Sequence, residues 1–264
     1  MKKNTNEMYF QLVALLVCVI LVHAVFVTVV LPNADAAMRR AAEQTEATGK
    51  YVAAKSFYVV IKDPEQESCF MLGFWALAIM GFKARNAMRE SAMFDMPLVS
   101  IAEGTRVLPG DAGQLARPMQ SLPPEQQSLL LPRALRTALL RFQVTSSVQS
   151  ATDAVSKVCE SEDTRLDSEF SMIRYITWAI PSIGFIGTVR GIGAALGLAG
   201  EAMEGNISGV TANLGVAFNS TLIALLISMV IMFFMHQLQL NQERLVLDTH
   251  SYCEERLIRF LKSE

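Results

Sequence analysis

Ser171-Met-Ile-Arg-Tyr-Ile-Thr-Trp-Ala-Ile-Pro-Ser-Ile-Gly-Phe-Ile-Gly-Thr-Val-Arg-Gly-Ile-Gly-Ala-Ala-Leu-Gly-Leu-Ala199 reads as a membrane helix, and its reading decides the fold. A second apolar stretch follows from Gly209 to Met235, passing through Gly-Val-Ala-Phe-Asn-Ser-Thr221. A lipid anchor needs only about 20 apolar residues. These two stretches also carry glycines, hydroxyls, the Asn219 amide and Arg190. Polar groups at membrane depth are costly and face protein or water, so this pair of helices is the candidate functional site.

Working outward, Lys2 and Lys3 precede an apolar run from Leu12 to Leu31 that Pro32 closes. A basic start, an apolar core and Ala34-Asp35-Ala36 resemble a cleaved signal peptide. The run has 20 residues, however, long enough to span. A retained first span (1–32) is the expectation. The Ala-rich, mixed-charge segment 33–67 is expected to be helical in part and periplasmic. Asp63-Pro64-Glu65-Gln66 marks a helix start, with Asp63 as N-cap, Pro64 at the first position and Gln66 closing a capping box. The apolar run Cys69–Phe82 has only 14 residues. It spans if Ser68 and the stems of Lys83 and Arg85 help at its ends, giving a second span over 68–89.

Residues 90–170 follow as a helical domain. Six prolines between 96 and 132 indicate loops around short helices. From Pro132 to Glu169 no further Gly or Pro occurs, and Leu135, Leu139, Phe142, Val148 and Val155 form a helical stripe. This stretch is expected to run straight into the third span (171–199). A loop (200–208) leads to the fourth span (209–236). The tail 237–264 is Gly- and Pro-free through Lys262, with Leu238, Leu245, Tyr252 and Leu257 on one face. Fourth span and tail predict one helix of roughly 55 residues, about 80 Å long. Such helices need to bundle, within or between subunits. The fold class is therefore all-α: a polytopic membrane protein with four transmembrane helices and long cytoplasmic extensions.

Orientation follows from flanking charge. Lysines precede span one, Lys83, Arg85 and Arg89 follow span two, and the 200–208 loop has two glutamates and no Lys or Arg. Both termini and residues 83–170 are thus expected in the cytoplasm, and the 200–208 loop in the periplasm. The whole chain has 264 residues, a net charge of −2 and 52% hydrophobic residues, which suits several spans and gives no sign of nucleic-acid binding. Four scattered cysteines form no CxxC or Cys/His cluster, so neither a disulfide framework nor a metal site is indicated. No nucleophile–base pair or phosphate loop points to an enzyme, and no cofactor is expected.

Gly184, Gly187, Gly191, Ala195 and Ala199 recur every three or four residues, a stripe that admits another helix closely. Thr188 lies beside it. On span four, Ala217, Thr221, Ala224 and Ser228 form a similar face, with Asn213 and Ser220 on the adjoining strip. Two such faces suit a narrow polar path in which hydroxyls and carbonyls replace part of an ion's hydration. The alternative is that each hydroxyl bonds its own backbone and only packs.

Pro181-x-x-Gly184-Phe-Ile-Gly187-Thr188-Val-x-Gly191-Ile resembles the second core helix of the MotA/TolQ/ExbB family, the membrane subunits of proton- or sodium-driven motors. Gly215-Val-Ala-Phe-Asn-Ser-Thr221-Leu-Ile-Ala resembles that family's last span. The 33-residue separation of Thr188 and Thr221 is similar to that of the family's two pore threonines. The likeness covers roughly residues 165–240. It implies a ring of five copies around two single-span helices of the MotB/ExbD/TolR type, each carrying a membrane aspartate, with H+ or Na+ as the transported ion. It also implies an ion path along Thr188, Thr221, Ser220, Asn219 and Ser228, with Pro181, Gly184, Gly187, Gly191, Ala195, Ala217 and Ala224 as packing and pore positions. Spans three and four contain no Asp or Glu, so the proton carrier must come from a partner. A non-conducting membrane scaffold of the same fold is the alternative.

Arg190 departs from that pattern and lies 200° around the helix from Thr188. It is read as a pairing residue, structural or between subunits, rather than as a gate. His23 is read as packed and hydrogen-bonded, with proton relay as the alternative. Tyr175 and Trp178 are read as interfacial anchors. Residues 83–170 carry both charge signs throughout, with no evident cluster.

Overall fold

A computed structural model describes residues 2–48, 52, 54, 56–102 and 104–262, with side chains from Glu7 onward except Thr48. In chain order the helices are α1 (Lys2–Val25), a π-helical turn (Phe26–Val30), α2 (Leu31–Thr48), α3 (Phe57–Ile61) and α4 (Pro64–Ser91). Three short helices follow: α5 (Ala112–Leu115), α6 (Arg117–Ser121) and α7 (Pro124–Gln127). Then come α8 (Leu130–Thr145), α9 (Val148–Glu169), α10 (Ser171–Gly197), α11 (Ala199–Met203) and α12 (Ser208–Arg256). Among the described residues β-pairing is limited to one isolated bridge, Val107 with Leu261. Four helical stretches are long and apolar enough to cross a membrane, within Glu7–Ala47, Pro64–Ser91, Val148–Gly197 and Ser208–Phe260. The fold is the all-α class expected from the sequence.

Pro32 does not close the first helix. The chain stays helical through it, because the turn before it widens to a π-helix in which the Leu31 N–H reaches back to the Phe26 carbonyl. A proline lacks the N–H and its ring crowds the carbonyl four residues earlier. A single π turn lets the helix absorb that mismatch. The Asn33 side chain donates to the Val29 carbonyl at 2.7 Å inside the same turn.

The chain divides into two compact units. The first comprises 1–81 and 172–235 and holds the apolar parts of α1, α4, α10 and α12. Val22, Phe26, Val30, Ile61 and Ile223 are buried together, with Phe70 and Met71 packed against them. The Trp75 indole donates to the Gln11 carbonyl at 2.9 Å, joining α4 to α1. Outside this packing the surface is apolar: Trp178, Phe185, Val189, Phe218, Leu222 and Met229 are all exposed. Tyr175 and Trp178 are exposed.

The second unit, 82–171 with 236–264, has its own core. Leu135, Leu139 and Phe142 of α8, Val155 and Cys159 of α9, and Leu245, Cys253 and Leu257 near the C-terminus are buried together. Each such large aliphatic or aromatic side chain contributes about 1.5–3 kcal/mol. The predicted helix from Pro132 to Glu169 is in fact a hairpin. Ser146 takes a left-handed conformation (φ 51°), its N–H donates to the Phe142 carbonyl at 2.9 Å, and Ser147 caps α9 by accepting from the Ser150 N–H at 3.3 Å. No Gly or Pro marks that break, because paired serines supply both the turn and the cap. The hairpin buries one stripe of α8 against the Ala151–Val155–Cys159 stripe of α9, which one straight helix would leave bare.

The buried charges of this unit, Lys83, Glu90 and Glu162, are paired or hydrogen-bonded. Lys83, expected to stretch toward a membrane surface, is buried and donates to Glu169 at 2.8 Å. Glu90 accepts from the Leu130 N–H at 2.7 Å and so caps α8 from another helix. Glu162 is 4% exposed and is clamped between Arg133, at 2.6 Å, and Arg165. Burial pushes the Glu162 carboxyl up, but the two guanidinium groups outweigh it and hold it below the usual carboxylate range.

Candidate functional site

The site lies where α10 meets α12 and the start of α4, all within the first unit. Gly184, Gly187 and Gly191 are buried. A methyl group on Gly184 would run into the Ala224 methyl and come within 3.1 Å of the Ser220 carbonyl; on Gly187 it would meet Ser220 Cβ at 2.5 Å. On Gly191 it would meet the Ala217 backbone nitrogen at 2.7 Å. The two small-residue faces therefore pack on each other within one chain, with backbones as close as glycine permits. Buried Ala195 continues that face of α10.

The hydroxyls lie in this seam. Thr188 and Thr221 touch hydroxyl to hydroxyl. The Thr188 hydroxyl also lies 3.1 Å from the Ala217 carbonyl and 3.2 Å from the Gly184 carbonyl, and Thr221 lies 3.1 Å from Gly184. Two hydroxyl protons are thus shared among two carbonyls and each other, so the seam admits more than one hydrogen-bond arrangement. Ser220 donates to Val216 at 2.9 Å. Ser228 donates to the Thr177 carbonyl at 3.0 Å. That carbonyl is the one Pro181 leaves without its helical partner, so Ser228 of α12 repairs the gap that Pro181 opens in α10. Asn219 lies about 200° around the helix from Thr221. The structure does not bring it to the threonines: among the described residues its side chain has no hydrogen-bond partner.

A polar group that sequence reading missed stands beside the seam. The start of α4 supplies Glu65, Gln66 and Glu67. Glu65 takes two hydrogen bonds from Arg190, at 2.6 and 2.8 Å, and Asp63 lies 4.0 Å from the same guanidinium. Arg190 is therefore paired within its own chain, with half of its side chain still exposed. Gln66, fully buried, donates to the Val60 carbonyl at 3.1 Å and approaches Ser220 Oγ at 3.5 Å, so it closes no capping box. Asp63 Oδ2 and Gln66 Oε1 are buried with no hydrogen-bond partner among the described residues. His23 Nδ1 meets Glu67 at 2.7 Å, so the ring is hydrogen-bonded as expected, but it is exposed rather than packed. The signal for this group was present in three consecutive polar residues ahead of an apolar run. Read alone, they look like helix-capping chemistry.

Close glycine packing, hydroxyls in the seam and an ion pair beside it define a helical membrane protein with a polar seam between its last two spans. Residues 126–251 match the sequence model of the MotA/TolQ/ExbB proton channel family. The matched stretch includes the α8–α9 hairpin, all of α10 and nearly all of α12. Neither a curated protein nor a solved structure gives a significant match.

Proposed function

We propose that the chain is the membrane subunit of a proton- or sodium-driven energiser, assembled as a ring of five copies around a pair of single-span partner helices. The observation that carries this reading is the Thr188–Thr221 hydroxyl pair, set on two apolar spans (171–199 and 209–236) without a carboxylate and within the family match. Hydroxyls and carbonyls can pass a cation but cannot store a proton. The storing group is an aspartate of the partner helix, of the MotB/ExbD/TolR type. An ion that crosses 100 mV releases about 2.3 kcal/mol per charge, enough to bias one conformational step. The ring sits in the bacterial inner membrane with both termini in the cytoplasm, a reading that the flanking lysines and arginines support.

A non-conducting scaffold is favoured by a different observation: in a single chain the glycine stripe and both threonines are already satisfied by packing α10 on α12. Native mass spectrometry of the complex, purified gently from its own host, separates the two. Five copies with two copies of a small single-span protein, and ion flux when that complex is reconstituted, are the expected results. An oligomer without such a partner, or one that passes no ion under an imposed potential, would overturn the motor reading.

A further inference from the structure

Outside the membrane-crossing helices, the second unit gathers charge that the sequence disperses. The cleft between α8 and α9 encloses about 720 Å³ and is lined by Arg136, Leu140, Arg141, Val144 and Lys157 among others. Arg133, at its far end, is tied to Glu162. Arg136, Arg141 and Lys157 are exposed and, among the described residues, have no ion-pair partner. The one acid in the cleft, Asp153, is held by Gln149 at 3.0 Å. Between the cations the floor is apolar, with Leu140 42% and Val144 82% exposed. From Arg133 to Val144 the cleft runs about 16 Å along α8. Apolar residues left bare between unpaired cations mark a docking surface rather than an ordinary solvated face.

The complementary surface is on the same chain. On the exposed side of α12, Glu243, Leu247 and Glu254 line up at helical spacing over about 16 Å, with Leu247 66% exposed. Asp248 and Glu255 flank this stripe, against Arg244 and His250, which lies 3.8 Å from Glu254, while Glu243 accepts from Gln239 at 3.1 Å. An acidic stripe with one bare leucine matches a basic cleft with a bare leucine and valine in length, sign and pattern.

We propose that the α8–α9 cleft of one subunit receives the Glu243–Leu247–Glu254 face of α12 from the next copy. This contact deepens the ring reading given above and rests on it. Cleft and stripe are different surfaces, so the contact is heterologous and repeats around a closed ring instead of ending at a dimer. Leu247 seats against Leu140 and Val144, while Glu254 and Glu243 meet Arg141, Arg136 and Lys157.

The test uses full-length chains in native membranes. Two differently tagged copies, one Val144→Cys and one Leu247→Cys, are co-expressed and treated with a short bis-maleimide. A covalent mixed-tag dimer is expected from the pair, and not from either substitution with an otherwise unaltered partner, which controls for the four native cysteines. Arg141→Glu should lower the mixed-dimer yield about fivefold, the upper range for exposed ion pairs, and Glu254→Arg on the other copy should restore it. The native mass of the same preparation is read in parallel. An oligomer of unchanged mass without the mixed dimer overturns this contact and leaves the cleft to an acidic segment of another protein or to anionic lipid. A single chain by native mass overturns the ring reading itself, and this contact with it.

Discussion

Arg190 of α10 grips Glu65 of α4 with two hydrogen bonds, 2.6 Å from Nε and 2.8 Å from the terminal nitrogen. Two parallel bonds between a planar guanidinium and a carboxylate fix orientation as well as distance. Here they lock the start of α4 to α10, one turn from the Thr188–Thr221 seam. Removing Arg190 strands the largely buried Glu65 carboxylate. Arg190→Leu or Glu65→Leu should each lower the thermal midpoint in detergent, at a cost of about 2 kcal/mol. The double substitution should cost less than the sum of the two. Strict additivity would mean that the pair contributes nothing of its own.

The glycine face offers a test with internal controls. Gly191→Ala pushes a methyl into the Ala217 backbone, which cannot move aside without shifting α12. Gly193→Ala and Gly197→Ala, on the same helix, meet nothing within 4 Å. The first should cost about 1–3 kcal/mol. The other two should be neutral or stabilising, because alanine favours the helix by about 1 kcal/mol over glycine. Thermal midpoints of the three variants check this. Equal effects would refute the close packing.

Thr221→Val keeps the shape of the side chain and removes its hydroxyl. Loss of the bond to the Gly184 carbonyl should cost about 1 kcal/mol and leave assembly intact. Under the motor reading, ion-driven activity should vanish while Thr221→Ser retains much of it. Full activity in the valine variant, measured as flux in reconstituted vesicles, would reduce Thr221 to a packing residue.

Ser228→Ala tests the repair of the Pro181 break. It leaves the Thr177 carbonyl without a donor, so it should destabilise by about 1–2 kcal/mol. In a Pro181→Ala background, where the helix supplies its own bond, the same substitution should cost little. Denaturation of the four proteins gives the coupling directly.

Glu162 sets a pH dependence for the second unit. Its carboxyl is held below the usual range in the folded chain. The stability it supplies is therefore complete above the unfolded value of about 4.3 and is lost as pH falls through the lower folded value. Unfolding of the chain should become easier with acid below about pH 4.3, and Glu162→Gln should flatten that slope. An unchanged slope would assign the acid sensitivity to other carboxylates.

Much of the architecture was legible in the sequence because apolar length is a local quantity. Four long apolar stretches, the glycine repeat of 184, 187 and 191, and the Pro181 to Thr221 motifs all follow from spacing along one helix. What local spacing misread were the places where a distant group supplies the missing bond. Pro32 looked like a stop, but a π turn carries the helix on to Thr48. Pro132 to Glu169 looked continuous, but Ser146 and Ser147 turn it back on itself. Lys83 looked like a surface anchor, yet it is buried against Glu169.

By itself the sequence determined the all-α membrane class, the small-residue faces of α10 and α12, and the absence of a carboxylate from the apolar spans 171–199 and 209–236. These depend on composition and on a helical period that any isolated segment already carries. Tertiary structure alone decided that Arg190 pairs with Glu65, 125 residues away, and that Ser228 serves the carbonyl freed by Pro181. It also decided that Gln66 and Asp63 sit buried beside the threonine seam and that Asn219 stands apart from it. Such partners are chosen by which helix faces meet, and a buried polar group binds whichever complementary group packing brings within about 3 Å.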